Sequence, residues 1–198
     1  MNFLAHVWLA GESEDDRVGG LAGDFVKGIL PGELAPALVE GVRLHRAIDA
    51  FAETHPAFVR SRRRVSSERR RVAGIMVDLF YDHFLARDWE RWHDEKLETY
   101  TAALYARLWA RAAELPHGLV QLLPRMASQD WLASYRDFTA VSHALDRMAS
   151  RLSRPELLLG AGVELHRDPL GFEADFHEFL PAARAFVERW RQEHAGAA

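Results

Sequence analysis

Ionisable side chains interrupt an apolar helical stripe between residues 38 and 52. At about 100° per residue, one face of a predicted helix carries five aligned positions, which are Leu38, Val42, His45, Asp49 and Ala52. His45 and Asp49 lie four residues apart, so their side chains project side by side from that face. This spacing is typical either of a local hydrogen bond or of two ligands to one metal ion.

A second predicted helix repeats the pattern further along the chain. Its apolar stripe and the two ionisable residues that flank it are Ile75, Leu79, Asp82, Ala86, Asp78 and His83. A buried carboxylate without a partner costs several kcal/mol. Two helices that each carry ionisable groups into a core therefore indicate a cation between them, and a divalent metal is the simplest candidate.

The composition restricts the chemistry of such a site. The chain has 198 residues and no cysteine, which excludes a thiolate nucleophile, a disulfide bond and a sulfur-bound metal. Oxygen-rich sites with one or two imidazoles suit Mn²⁺, Mg²⁺ or Fe²⁺ better than a structural zinc ion. No apolar run approaches the roughly 20 residues that span a bilayer, and the N-terminal segment lacks the basic region of a signal peptide. We therefore expect a cytoplasmic protein without a membrane partner.

Basic charge is concentrated in one stretch of a chain whose net charge is −4. Seven arginines lie between Arg60 and Arg71, against the single acid Glu68. The stretch is compatible with a solvated surface. It is also compatible with a docking surface for a polyanionic partner, because arginine favours bidentate contacts to carboxylate or phosphate.

Helical periodicity extends over nearly the whole chain, whereas the alternation typical of strands is almost absent. We predict an all-α, single-domain helical bundle over residues 1–198. The predicted helices lie near residues 2–11, 19–29, 33–53, 56–65, 68–87, 94–114, 117–127, 129–137, 139–152 and 173–194. The segment from Arg154 to Gly171 is the best candidate for a mobile excursion, because two glycines and a proline interrupt its pattern.

Five motifs follow one another along the chain. They are MNFLAHxxLA at the N-terminus, DFVKG at 24–28, GVRLHRAIDAFAETHP at 41–56, RRVAGIMVDLFYDHFLARDW at 70–89 and DWLASY at 130–135. Together they resemble the acyl carrier protein phosphodiesterase family. That family is similar to the HD phosphohydrolases, an all-helical fold in which histidines and aspartates from several helices bind a divalent metal. Here the adjacent pair reads Asp82-His83 and not His-Asp, so ligands do not transfer directly from ordinary HD enzymes.

The resemblance implies hydrolysis of holo-acyl carrier protein to the apo form and 4′-phosphopantetheine, with Mn²⁺ as the metal. A bound metal would polarise the phosphodiester and activate water, so the reaction needs no cysteine or serine nucleophile. Stripe positions and family motifs together predict four metal ligands, which are Asp24, His45, Asp82 and His83. The predicted catalytic groups, which accept a proton or orient a histidine, are Asp24, Asp49 and Asp78.

Two further sets of residues are predicted around this site. His6, Arg46 and His55 are expected to support the ligands or to contact the substrate phosphate. Acyl carrier proteins are small and acidic, so the arginine stretch becomes the predicted docking surface. Its predicted contact residues are Arg62, Arg63, Arg64, Arg69 and Arg70.

Two other functions remain open at this point. An HD-type hydrolase of small nucleotides or other phosphoesters would use the same metal in a closed pocket, without a protein-docking surface. A non-catalytic helical adaptor would use the acidic residues in buried salt bridges and the arginine stretch to bind nucleic acid. The carrier-protein function, which we favour, requires no nucleic acid.

Overall fold

The computed structural model describes residues 1–194, and that range contains helices and no β-strand. The predicted all-α fold is therefore confirmed. The α-helices are α1 (Phe3–Leu9), α2 (Glu14–Ala22), α3 (Val39–Thr54), α4 (Pro56–Arg64), α5 (Ala73–Arg87), α6 (Leu97–Ala110), α7 (His117–Ser128), α8 (Trp131–Ser134), α9 (Phe138–Ala149) and α10 (Pro169–His194). Short 3-10 segments occupy several of the connections. Among the described residues, no helix has both the length and the apolar character needed to cross a membrane.

All ten helices contribute buried side chains to one hydrophobic core. Helix α5 is buried almost continuously from Met76 to Ala86, so it is apolar on most of its circumference and lies inside the bundle. Helix α10 covers it with an aromatic face, in which Phe172, Phe176 and Phe179 are fully buried. Helices α3 and α5, which carry carboxylates of the predicted site, therefore pack in the same hydrophobic core.

Helices α2 and α3 approach each other closely at two glycines. A Cβ atom on Gly19 would lie 2.7 Å from the carbonyl oxygen of Leu38 and 2.8 Å from Cα of Gly41. No side chain fits at that distance, so only glycine allows this contact. The contact sets the distance between α3 and the end of α2, where the His45 ring meets the backbone of Gly20.

Two residues of the arginine stretch, Arg60 and Arg64, form ion pairs that connect α4 to α10. The buried carboxylate of Asp175 lies 2.8 Å from Arg60 Nε and 2.7 Å from Arg64 Nε, and it accepts a hydrogen bond from Ser61 Oγ at 3.1 Å. Arg64 also pairs with Asp168. Much of the concentrated positive charge therefore neutralises buried or half-buried acids of the same chain.

The segment predicted as a mobile excursion is anchored to the core. It contains two 3-10 segments, Pro155–Leu157 and Ala161–Arg167, and it buries Leu158 and Leu165. The buried carboxylate of Glu164 accepts hydrogen bonds from the backbone N–H of Ser66 at 2.9 Å and from its hydroxyl group at 2.7 Å.

Candidate metal centre and substrate cleft

Two histidines and one aspartate from α1 and α3 meet in a small cluster. His6 Nε2 lies 3.1 Å from Asp49 Oδ1, and His45 Nε2 lies 3.2 Å from Asp49 Oδ2. The two imidazole rings stack with their centroids 3.7 Å apart. One ligand atom from each of the three residues lies within 4.8 Å of the other two, which is close enough for a single cation. The sequence had placed His6 outside the predicted ligand set, whereas the structure puts it in the centre of the cluster.

The tautomer of His45 is set by the backbone of α2. His45 Nδ1 donates a hydrogen bond to the carbonyl oxygen of Gly20 at 2.7 Å, so a neutral ring presents a lone pair on Nε2. That lone pair faces Asp49 Oδ2 at 3.2 Å and Asp24 Oδ1 at 3.8 Å. Electron-rich atoms this close need a proton or a metal cation between them. Gly23 lies against the same ring, since a Cβ atom there would lie 2.3 Å from His45 Cγ.

A positive charge already occupies the space between two of the aspartates. The buried amino group of Met1 lies 2.8 Å from Asp49 Oδ1 and 3.1 Å from Asp78 Oδ1. Burial opposes its charge, but the two carboxylates outweigh burial and raise the pKa of this amino group to about 11. The surroundings of Asp49 and Asp78 therefore favour a cation.

The protonation states suit a metal ligand set. Burial lowers the pKa of His6 to about 3, so its ring is neutral at pH 7, and its Nδ1 atom is buried without a hydrogen-bond partner. Burial opposes the ionisation of Asp49, but its contacts with the His45 and His6 rings and with the amino group of Met1 lower its pKa far below the usual range. The neutral His6 ring beside an ionised carboxylate offers the kinds of ligand atom that a divalent cation binds. The residues present therefore fit the metal that the family resemblance implies.

Asp24 and Asp78 connect this cluster to a cleft of about 610 Å³. Burial raises the pKa of both carboxyl groups, and the neighbouring Asp49 carboxylate raises it further. Aromatic residues form part of the cleft wall, among them Phe3, Phe25, Trp131 and Tyr135. Trp131 and Tyr135 belong to the DWLASY motif, but the helical pattern of the sequence did not assign them to a site.

Asp82 and His83 lie in different surroundings from the other predicted ligands. Asp82 is fully buried and accepts hydrogen bonds at 2.9 Å from the side-chain amide of Asn2 and from the backbone N–H groups of Leu4 and Ala5. Asp82, which lies on α5, thus caps the N-terminus of α1. The side chain of Asn2, the N-cap residue, makes no capping hydrogen bond there. His83 donates from Nδ1 to the carbonyl oxygen of Tyr135 at 2.8 Å. The structure therefore does not bring these two residues into the group formed by His6, His45 and Asp49.

The remaining residues predicted near the ligands have local partners. Arg46 donates to the carbonyl oxygen of Val26 at 3.2 Å. His55 caps α4, where its Nδ1 accepts from the backbone N–H of Ala57 at 3.3 Å, and its ring contacts Phe51 and Phe179. Arg46 and His55 thus make contacts that stabilise the local structure, and these contacts do not require a substrate phosphate.

The five predicted docking arginines differ in the ion pairs and hydrogen bonds that they make within the chain. Arg62 pairs with Glu53, and Arg64 pairs with Asp168 and Asp175. Arg69 donates to the carbonyl oxygens of Leu157 and Leu159, and Arg70 donates to that of Val65. Within residues 1–194, Arg63 is the only one of the five without a hydrogen bond or ion pair to the chain.

A second group of potential ligands, Asp88, Glu173 and His177, lies on the surface. Arg87 already pairs with both carboxylates, at 2.6 Å and 2.5 Å. This group is therefore explained as an ion-pair network.

Comparison with known proteins identifies the family of this chain. The family profile described as "Acyl carrier protein phosphodiesterase" matches residues 1–183. An acyl carrier protein phosphodiesterase of Photorhabdus laumondii is 33% identical over 187 residues, which cover 91% of this chain and 92% of the relative. Relatives with the same description from Escherichia coli O157:H7 and Serratia proteamaculans are each 33% identical, over 190 and 182 residues. These alignments cover 96% and 91% of this chain and 98% and 94% of the relatives. No solved structure shows a significant match. Because the profile match covers residues 1–183 and these relatives are 33% identical over most of the chain, the chain belongs to the acyl carrier protein phosphodiesterase family.

Proposed function

We propose that this protein is a metal-dependent phosphodiesterase that hydrolyses holo-acyl carrier protein to apo-acyl carrier protein and 4′-phosphopantetheine. Family membership supports the reaction. The observation that carries the site assignment is the cluster of His6, His45 and Asp49, which adjoins the cleft through Asp24 and Asp78.

The metal is held, in this proposal, by His6, His45 and Asp49, with Asp24 and Asp78 at the boundary of the cleft. Two imidazoles and several carboxylates favour Mn²⁺, and Mg²⁺ or Fe²⁺ are the alternatives. When bound there, such a cation would supply Lewis-acid activation of the phosphodiester and of the attacking water. Asp82 and His83, predicted as ligands from the sequence, hydrogen-bond to the N-terminus of α1 and to the Tyr135 carbonyl oxygen, and this proposal leaves them out of the ligand set.

The protein's own groups divide the remaining work. Asp49 stays ionised, and its two oxygens lie 3.1 Å and 3.2 Å from the Nε2 atoms of His6 and His45. Asp24 and Asp78 have raised pKa values and line the cleft, so they are placed to accept a proton from water or to return one to the leaving group. Tyr135 and Trp131 line the same cleft as these carboxyl groups.

The decisive experiment incubates the protein with holo-acyl carrier protein and Mn²⁺ and follows the loss of the phosphopantetheine mass. We expect turnover that disappears in a chelator and returns with Mn²⁺. Asp49→Asn keeps the side-chain size but removes the charge between the histidines, so it should abolish turnover. His143→Ala serves as the matched control, because His143 is exposed.

Two outcomes would contradict the proposal. Full activity in chelator would remove the metal from the mechanism. Hydrolysis of nucleotides or small phosphodiesters as efficiently as holo-carrier protein would favour the small-molecule hydrolase.

Three sequence-based expectations stay predictions beside this function. These are a single domain over residues 1–198, a likeness to the HD phosphohydrolase fold and a cytoplasmic location. The described core, to which every helix contributes, supports the first of them.

A further inference from the structure

Three arginines line the same cleft as Asp24 and Asp78. Arg125 lies on α7, Arg147 lies on α9, and Arg151 follows the end of α9. One continuous cleft therefore contains both the carboxylates of the candidate site and a group of three positive charges.

Several arginines of the Arg60–Arg71 stretch, among them Arg60, Arg62 and Arg64, pair with carboxylates, whereas these three cleft arginines do not. Within residues 1–194, no carboxylate oxygen lies within 4.0 Å of their guanidinium nitrogens. The guanidinium groups of Arg147 and Arg125 lie over the Trp131 ring, with their carbons 5.1 Å and 6.0 Å from its centroid. Stacking of this kind orients a guanidinium group and leaves its N–H edge available to an anion.

We infer that Arg125, Arg147 and Arg151 form the surface on which the acidic face of the carrier protein docks, while its phosphodiester enters the cleft towards Asp24 and Asp78. This inference rests on the proposed function. The protein has a net charge of −4, so an acidic partner is repelled on average and needs a local basic surface beside the site. Among the described residues, these three arginines are the cationic side chains that line the cleft of the candidate site.

The occupant is a protein surface, because the charges are spread along the rim of the cleft. Arg125 and Arg151 are exposed, and Arg147 is half-buried beside Trp131. A single phosphate group would need converging donors, whereas an acidic helix face meets arginines distributed over a surface. Exposed charges of this kind chiefly raise the association rate, and their effect falls as salt increases.

The test compares two double charge reversals of equal net charge. The first is Arg125→Glu with Arg151→Glu, which changes two exposed side chains of the cleft rim. The control is Arg71→Glu with Arg189→Glu, since these arginines are also exposed and make no ion pair within the described residues. Both variants and the wild type are assayed on holo-carrier protein and on a small chromogenic phosphodiester, over a salt series. Binding of apo-carrier protein is measured by fluorescence anisotropy, and thermal unfolding checks the fold.

We expect the cleft variant to raise KM for holo-carrier protein by at least about tenfold at low salt and to flatten the salt dependence. Its anisotropy titration should weaken in parallel, while turnover of the small diester and the unfolding temperature stay unchanged. The control should retain wild-type values. If the cleft variant and the control lost carrier-protein binding equally, net charge alone would explain the effect, and the docking surface would be contradicted. Equal losses on both substrates would assign the arginines to the phosphodiester group and also overturn it.

The binding measurement separates this inference from the proposed function. If the wild type binds apo-carrier protein through the three arginines but leaves phosphopantetheine on the holo form, the proposed function fails and the surface stands. If turnover occurs and the cleft variant binds the carrier protein normally, the function stands and the surface fails.

Discussion

The imidazole rings of His6 and His45 stack at a centroid distance of 3.7 Å with 18° between their planes, and their Nε2 atoms face opposite oxygens of Asp49. One ring comes from α1 and the other from α3, so the relationship depends on how these helices pack. Asp49 is therefore the residue that both histidine rings contact.

The first prediction concerns His6 as a metal ligand. His6→Ala should weaken Mn²⁺ binding by at least about tenfold, because even groups that only support a ligand contribute 10–100-fold to affinity. Isothermal titration calorimetry with Mn²⁺ measures this effect, and His143→Ala is the surface control. Unchanged affinity in the His6 variant would show that its ring only packs against His45.

The second prediction concerns the contact between Gly23 and His45. Gly23→Ala should displace the ring, because the new Cβ atom would lie 2.3 Å from His45 Cγ. We expect weaker Mn²⁺ binding, lower turnover and a loss of about 1–3 kcal/mol in unfolding free energy. The matched control is Gly74→Ala in the first turn of α5, where the added methyl group would meet no atom within 4 Å beyond its chain neighbours and the backbone of its own helix. That change should be neutral or stabilising by up to about 1 kcal/mol. Wild-type turnover in the Gly23 variant would contradict the site geometry.

The third prediction separates two roles for Asp82. Asp82→Ala leaves the first-turn N–H groups of Leu4 and Ala5 buried without an acceptor, so it should destabilise the protein by about 2–4 kcal/mol. Chemical denaturation measures the loss, and Mn²⁺ titration of the folded variant should still show binding. An unchanged unfolding free energy with lost Mn²⁺ binding would instead make Asp82 a metal ligand, as the sequence predicted.

The fourth prediction concerns the arginine stretch. Arg64→Ala removes one of the two guanidinium partners of the buried Asp175 and should lower the unfolding free energy by about 1–3 kcal/mol. Arg63 is exposed and makes no ion pair within the described residues. Arg63→Ala should therefore change the unfolding free energy by less than about 0.5 kcal/mol. Denaturant unfolding of both variants checks the comparison. If the two variants were equally stable, the ion pairs to α10 would contribute nothing to the fold.

The fifth prediction concerns alkaline pH. All four tyrosines are buried, and burial raises the pKa of each above the usual value near 10, in the case of Tyr100 to about 12. The unfolded chain therefore loses these protons at lower pH than the folded chain, so stability should fall as pH rises above 10. Tyrosinate absorbance should increase together with the loss of helical circular dichroism. Titration near pH 10 with an intact helical signal would contradict the burial of these side chains.

Much of the candidate site could be predicted from helical periodicity alone. His45 and Asp49 share a face because they lie four residues apart on one helix, and this relationship is local. The same argument placed Asp78 and Asp82 on α5. It could not show that Asp78 contacts the Met1 amino group while Asp82 turns to the N-terminus of α1.

Helix boundaries show a similar limit. The prediction began a helix at residue 19, but α2 begins at Glu14, because Ser13 accepts a hydrogen bond from the backbone N–H of Asp16 at 3.2 Å. The predicted continuation to residue 29 is wrong as well, since the α-helix ends at Ala22 and a 3-10 segment, Gly23–Phe25, follows. The serine cap with acidic residues in the first turn was a signal that could have located this start.

The sequence by itself determined the helical class, the absence of sulfur chemistry and the side chains able to bind a cation, because these follow from composition and from spacing within single helices. Only the tertiary structure decided which of those side chains meet. His6 and Asp49 are 43 positions apart, and Leu4 and Asp82 are 78 apart. Such contacts depend on the angles and distances at which helices pack, for example at Gly19 and Gly41, and no periodicity within one helix encodes them.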